Sequence, residues 1–452
     1  MLSDKTLQYI REHPAGKVKI ALTDIDGILR GKYISVEKFL SLINSESGFC
    51  DVVFGWDASD VSYDNVRYTG WHTGYPDAPL RIDLETFRKI PWENDLPFFL
   101  GEMAGTKEKP AYVCPRQLWK KVLHDLNSAG YSAYVSQEFE WFNFRETPVS
   151  AREKNYVNLE PLSPGMFGYS ILRSTLNNPY FTDLFGLLGK FDVPLEGLHT
   201  ETGPGVLEAA IKYSEGLLAG DRAVLFKTAV KEIGYKHGIL ATFMAKVNEH
   251  LPGCGGHIHQ SLWDDHHKRN LFYDEEDSLH MSELMKQYVA GQLYCLPHVL
   301  PMYAPNINSY KRLVEGAWAP TTLTWGVDNR TVAIRVLCNG IASARIETRV
   351  VGSDVNPYLA MAASVASGLY GIKNQLKLQQ PATTGNGYRD FSNGTLPTNL
   401  IESSMQMKNS DIARELFGEQ FVEHFTCTRE WEWRQHLKVV TDWERARYLE
   451  II

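Results

Sequence analysis

The sequence predicts an α+β protein in two parts, a small N-terminal unit followed by a larger mixed α+β domain. Three observations carry that expectation. Two apolar-alternating runs, Lys17–Thr23 and Ile28–Ser35, flank Asp24-Ile25-Asp26-Gly27, which reads as a hairpin with glycine at the turn. Between Pro91 and Tyr112 the composition shifts, with Gly101, Gly105, Lys107, Lys109 and Pro110 close together, as expected where one unit gives way to the next. Beyond it, strand-like and helix-like segments alternate up to a tail rich in Trp431, Trp433 and Trp443. At about 100–200 residues per domain, 452 residues allow two or three domains, and no internal repeat or low-complexity tract suggests another architecture.

Taken in order, Leu7–His13 is a short helical stretch, and Ser35 caps a helix that runs through Phe39 and Leu42. Pro115-Arg116 opens an amphipathic helix to about Ser128, with proline in the first turn, where its missing N–H does no harm. Tyr134–Phe144 has strand composition. The most apolar helical stretch, Pro357–Tyr370, is shorter than the roughly 20 residues of a membrane span and contains Ser364 and Ser367, so it reads as a buried helix. Forty-six Lys and Arg against 54 Asp and Glu give a formal charge of −8, which with no local basic cluster argues against nucleic acid. The opening segment, MLSDKTLQYIREHP, carries acids and lacks an apolar core, unlike a signal peptide. Six cysteines without a C-x-x-C pair exclude a disulfide scaffold and a thiolate zinc site, and fit a reducing cytoplasm. An acidic, soluble, cytoplasmic enzyme is the expectation.

Chemistry-bearing side chains recur in short segments. Glu138 and Glu140 lie two apart on a strand and share a face. Glu201 and Glu208 flank a Gly-Pro-Gly turn, and a Gly-rich turn leads into His257-Ile258-His259 and Ser261. Arg312 sits in a polar, Gly-containing loop; Arg330 and Arg335 follow; Arg345, Glu347 and Arg349 alternate on one strand face. Taken singly, a solvated strand face or an exposed loop accounts for each of these. Their conjunction points further. Carboxylates with a histidine suit hard divalent cations such as Mg²⁺ or Mn²⁺. Several arginines suit phosphate and carboxylate groups, which they grip in bidentate fashion. Together they describe phosphoryl transfer from a nucleotide to an acidic acceptor. No Walker loop is present, so the nucleotide would be held in another way.

These motifs, in this order and across nearly the whole chain, resemble the glutamine synthetase family. They are Glu138-x-Glu140, His199-x-Glu201 with Pro204-Gly205-x-x-Glu208, Gly253 to Ser261, Ser309 to Val314, Asn329-Arg330 with Ile334-Arg335, and Arg345 to Arg349. The resemblance implies an N-terminal β-grasp domain over residues 1–108 and a catalytic domain with a curved antiparallel sheet over 109–452. It implies homo-oligomeric rings, two hexamers stacked as a dodecamer, with active sites shared between neighbours. One divalent metal would be held by Glu140, Glu201 and Glu208, and another by Glu138, His257 and Glu347; two or three Mg²⁺ or Mn²⁺ are expected. Arg312 and Arg349 would clamp glutamate with Glu140 and the Gly253 backbone, while His259, Ser261, Arg335 and Arg345 would contact ATP. Arg330, with Arg335 and Arg345, would be the phosphate and transition-state arginines, and Arg330, Arg312 and Asp57 would be the catalytic residues.

The departures from the family pattern are informative. Ammonia-using members place a glutamate in a G-x-E-A-P loop after the arginine; here the loop reads Gly316-Ala317-Trp318-Ala319-Pro320. An indole offers apolar surface and cation–π attraction in place of a negative charge. The expected donor is therefore a primary amine with an apolar or aromatic substituent, with Trp318 lining its pocket, beside aromatics such as Trp56 or Trp325. Asp57 matches the acid that a neighbouring subunit contributes. Lys246-Val247 and Cys254-Gly255-Gly256 also differ from the usual Lys-Pro and Ser-Gly-x. The branch resembled is that of the γ-glutamylanilide and γ-glutamylisopropylamide synthetases. The alternatives are a polyamine-using or ammonia-using member and a non-catalytic structural relative.

Overall fold

The computed structural model describes residues 2–43, 45–106, 109–264 and 269–452. Lys107 and Glu108, beside the 108/109 boundary that the resemblance implies, lie outside the described residues.

The N-terminal hairpin forms as its pattern predicts. Strand Lys17–Thr23 pairs antiparallel with Leu29–Ser35, and Gly27 turns between them at φ +84°. A Cβ there would approach the Asn356 Cα to 2.9 Å, and Asn356 Nδ2 donates to the carbonyls of Asp24 and Ile25. Glycine thus serves both the turn and its docking on the helix Pro357–Lys373. The first helix starts earlier than expected, at Asp4, because Ser3 Oγ accepts from the Thr6 N–H. Helices Val36–Leu42, capped by Ser35, and Pro115–Ser128 stand where the sequence places them.

Among the described residues the small sheet has six strands. Leu96–Met103 lies at its centre, parallel to Lys17–Thr23 and antiparallel to Asp77–Ile82. The larger sheet has nine strands, organised around the long strand Tyr131–Phe144. The pleat of the small sheet divides its side chains. Ile20, Leu22 and Phe99 pack with Phe39 on one face, while Ala21, Phe98 and Leu100 join the main core with Trp119, Phe226 and Trp141. Helix Pro115–Ser128 packs against Leu96–Met103 of the small sheet and Tyr131–Phe144 of the large one, and Gly216–Lys236 packs against Tyr131–Phe144 and Pro115–Ser128. Where they meet, buried Arg116 donates to Asp83, Glu102 and Asp221, and the Tyr358 hydroxyl also donates to Asp221. Helix Pro357–Lys373 is buried along most of its length, and among the described residues no helix is long and apolar enough to cross a membrane.

Candidate active site

Strand register assembles the site. Glu140 stands opposite Glu208 on Val206–Ile211, and Glu208 in turn opposite His199 on Leu195–Thr200. In a second row, His259 stands opposite Glu347, and Glu347 opposite Arg335. Cross-strand neighbours lie about 4.5–5.5 Å apart at Cβ, so pairing alone brings segments distant in sequence to one face. Along Tyr131–Phe144 the odd-numbered positions from Val135 to Trp141 are buried, which turns Glu138 and Glu140 together toward the open side.

Fourteen residues line a cavity of about 430 Å³ on that side, and Glu138, Glu140, Glu201, Glu208, Gly253, His257, Arg312, Trp318, Arg330 and Arg349 are among them. A second cavity of about 290 Å³ is lined by His259, Ser261, Arg345 and again Glu138. The two share Glu138 as a common wall. Except for Asp57, the expected site residues line these cavities or, like Glu347 and behind it Arg335, connect by hydrogen bonds to Arg349, which does. Asp57 lines a different cavity, its carboxylate accepting from the backbone N–H groups of Ser59 and Val61 and from the Trp431 indole.

The charges are tightly coupled. Burial and the facing Glu208 push the Glu140 carboxyl up to about 8, although Oε2 accepts the Gly255 N–H at 2.7 Å. Burial also raises Glu208, against the hydrogen bond from His199 Nε2 at 2.9 Å. That carboxylate overrides the burial of His199 and lifts the imidazole to about 9. In the second row, burial acts to raise Glu138, but contacts with His257 and His259 hold it well below the carboxylate range. Burial and then Arg349 push His257 down to about 4. Glu347 is fully buried and held at about 2, because Arg349 and the histidines outweigh desolvation. Arg335 and Arg349 each donate to it.

Donor atoms converge within 4.8 Å of one another in two groups, Glu138–His259–Glu347 and His199–Glu201–Glu208. His259 therefore joins Glu138 and Glu347 where His257 is expected from the motif; His257 Nδ1 faces the same two acids at 3.3 Å each. His259 Nε2 is buried without a hydrogen-bond partner, an orphaned nitrogen at a site of carboxylate oxygens. Such a donor set fits a hard divalent cation, which would also relieve the repulsion among the acids.

Several sequence expectations change. Arg312 is no loop residue: it closes the helical turn Ser309–Arg312 and is only 3% exposed, because its guanidinium reaches the carbonyls of Val350 and Arg349. His257 directly precedes the strand Ile258–Asp264. Trp325 does not line the amine side; it is buried, and its indole N–H donates to the Gln380 carbonyl. Trp56 packs under Arg30, away from both cavities. Sequence reasoning also passed over His199 as a ligand and over Tyr169, Thr202 and Pro252 as cavity walls. His199 had a signal, being two residues before Glu201. Tyr169 had none: its ring stacks on His199 at 4.4 Å from a loop distant in sequence.

Residues 112–448 match the model of the glutamine synthetase catalytic domain. The chain is 54% identical over 452 residues to type-1 glutamine synthetase 2 of Dictyostelium discoideum, covering 99% of this chain and 86% of that protein. It is 35% identical to a glutamate–isopropylamine ligase of a Pseudomonas species, over 99% and 98% of the two chains. It is 36% identical to a γ-glutamylethanolamide synthetase of Streptomyces coelicolor, over 96% and 92%. With its two-sheet fold and its paired acidic rows, the chain belongs to the glutamine synthetase family of ATP-dependent ligases.

Proposed function

We propose that this ligase joins the γ-carboxylate of glutamate to a primary amine bearing an apolar or aromatic substituent, forming a γ-glutamylamide by way of γ-glutamyl phosphate. The observation that carries the choice of amine is Trp318. The residue is 58% exposed, it lines the same cavity as Arg312, and Gly316–Pro320 supplies no acid there.

In this reading Arg312 and Arg349 take the carboxylates of glutamate, and the Gly253 backbone takes its amino group. Arg312 has no carboxylate partner among the described residues, and a buried cation without a counter-ion favours an anionic ligand. ATP occupies the second cavity against His259, Ser261 and Arg345, with Arg335 behind Glu347. Because Glu138 borders both cavities, the γ-phosphate and γ-carboxylate meet there. Glu140, Glu201 and Glu208 with His199 would hold one divalent cation, and Glu138, His257, His259 and Glu347 another. When bound, these ions neutralise charge on the transferring phosphoryl group. Arg330, exposed at the mouth of the cavity, is placed to add a further positive charge. The amine then attacks the acyl phosphate from the Trp318 side. A neutral aniline needs no base before it attacks, and its N–H proton leaves afterwards to the departing phosphate or solvent; an alkylammonium must first lose a proton. Ring assembly with sites between subunits belongs to the same proposal. Asp57 would serve the amine only across such a boundary, since within the chain it faces another cavity.

Ammonia is the second reading, favoured by the 54% identity to a protein named a glutamine synthetase. ADP release with glutamate and ammonia, ethylamine, isopropylamine, ethanolamine, aniline or putrescine separates the two. We predict that isopropylamine or aniline gives the highest kcat/KM; ammonia as the best donor would overturn the apolar-amine proposal.

A further inference from the structure

Arg312 does not hold its place alone. It ends a single helical turn, Ser309–Arg312, too short to be stable by itself, so its position depends on what pins the turn. One carboxylate supplies the pins. Asp354 Oδ2 accepts from Ser309 Oγ at 2.6 Å and from Asn306 Nδ2 at 3.0 Å. Ser309 Oγ in turn accepts the Asn306 N–H at 3.0 Å, closing a small ring of bonds at the start of the turn. Asp354 lies five residues after Arg349 in the segment whose carbonyls, at Val350 and Arg349, receive the Arg312 guanidinium. The same segment is tied to the 254 turn and the Glu138–Glu140 strand, through Ser353 N–H to the Cys254 carbonyl and Ser353 Oγ to the Glu140 carbonyl.

Both expected glutamate-binding arginines thus sit on backbone that Asp354 fastens together. Geometry is one half of its contribution and charge the other. Burial disfavours the Arg312 cation, while the negative charges of Glu140 and Asp354 favour it. Asp354 Oδ1 is buried with no hydrogen-bond partner, and the residue also lines a separate cavity of about 270 Å³ with Lys227 and Lys231. A carboxylate with one oxygen unpaired in such a place has a use beyond hydrogen bonding, since an uncharged acceptor would avoid the desolvation.

We infer that Asp354 is a positioning residue for substrate recognition: through Ser309 and Asn306 it sets the Arg312 guanidinium, relative to Arg349, for the glutamate carboxylates. It touches neither substrate. The inference rests on Arg312 and Arg349 binding glutamate, as proposed above.

The test varies glutamate at saturating ATP and amine, and then ATP at saturating glutamate, for the full-length wild type and for Ser309→Ala, Ser309→Thr, Asp354→Asn and Asp354→Ala. Ser309→Ala and Asp354→Asn are expected to raise KM for glutamate about tenfold or more. KM for ATP should stay within about twofold, and Ser309→Thr, which keeps the hydroxyl, should restore most of the loss. Combining Ser309→Ala with Asp354→Ala should cost little more than the worse single change, because both break the same link. Equal rises in both KM values, or independent multiplication of the two losses, would overturn the inference. Should Asp354→Ala fail to fold, the Ser309→Ala and Ser309→Thr pair decides. A wild type inert toward glutamate removes the functional proposal and this inference together. An active wild type whose variants show no split removes this inference alone.

Discussion

Burial works against the Arg312 cation, and among the described residues no carboxylate pairs with it directly; in the proposed function a substrate anion takes that place. Removing it by Arg312→Met should raise the glutamate KM about 10- to 100-fold, the equivalent of a charge-assisted hydrogen bond of roughly 1.5–3 kcal/mol. Steady-state kinetics at fixed ATP would show it, and an unchanged KM would place glutamate elsewhere. Gly253→Ala should act on the same contact from the other side, since a Cβ there would come within 2.7 Å of both the Ala245 carbonyl oxygen and the Arg312 Cγ. The guanidinium would have to move. Trp318→Glu restores an acid to the loop and should shift the kcat/KM ratio toward ammonia; an unaltered ratio would mean that the indole has no part in donor choice. These residues were legible as chemistry because the motifs name them. Their energetics were not. Nothing in Ser309-Tyr310-Lys311-Arg312 announces a buried guanidinium, and the Tyr169 ring on His199 depends on a loop path that no local pattern encodes.

At the level of elements, strand register does the gathering. The period-two spacing is readable in the sequence: Glu138 and Glu140 share a face of Tyr131–Phe144, and Arg345 and Glu347 share one of Arg345–Thr348, while Arg349 lies one residue past that strand's end and reaches Glu347 from there. The rows Glu140–Glu208–His199 and His259–Glu347–Arg335 were not readable, because pairing between strands far apart in sequence is set by packing of the opposite, apolar face. Helix Glu419–His436 raises a different point. His424 is buried there against Tyr68, neither ring nitrogen has a hydrogen-bond partner, and burial followed by Arg429 pushes its pKa down to about 3 from 6.5. The folded state therefore keeps His424 neutral where the unfolded chain binds a proton. This contribution is complete above pH 6.5 and is lost progressively as pH falls from 6.5 toward 3. Replacing it by His424→Phe should flatten the fall in stability between pH 6.5 and about 5 by up to about 1.4 kcal/mol per pH unit, as read from urea midpoints. An identical slope in the variant would mean that the ring titrates freely in the fold.

Across the whole molecule, the small sheet and the larger part are joined by apolar packing and by buried charges, Arg116 with Asp83, Glu102 and Asp221, and Arg429 with Asp26. The shift in composition near Pro91–Tyr112 marks a change of local structure, yet the main core continues through Ala21, Phe98 and Leu100 into the helices of the larger part. A break in sequence pattern is local, whereas a core is closed by contacts that the pattern does not list. Arg116 is the electrostatic counterpart, holding Asp83 and Glu102 of one part to Asp221 of the other. Arg116→Met would leave buried carboxylates without their cation and should destabilise the fold by roughly 3–5 kcal/mol, with both parts unfolding at a lower urea concentration. A small sheet that melts separately, with the remainder unaffected, would contradict that coupling.

In the proposed function, the acidic rows, the arginines and the two adjoining cavities activate the glutamate γ-carboxylate by phosphorylation before an amine takes the acyl group. The most direct measurement follows the oxygen atoms. With glutamate labelled by ¹⁸O in the γ-carboxylate, together with ATP and isopropylamine, the released phosphate should carry label from glutamate, and the product should be the γ-glutamylamide. Release of unlabelled phosphate alongside that amide would contradict a γ-glutamyl phosphate intermediate, and with it the assignment of the site.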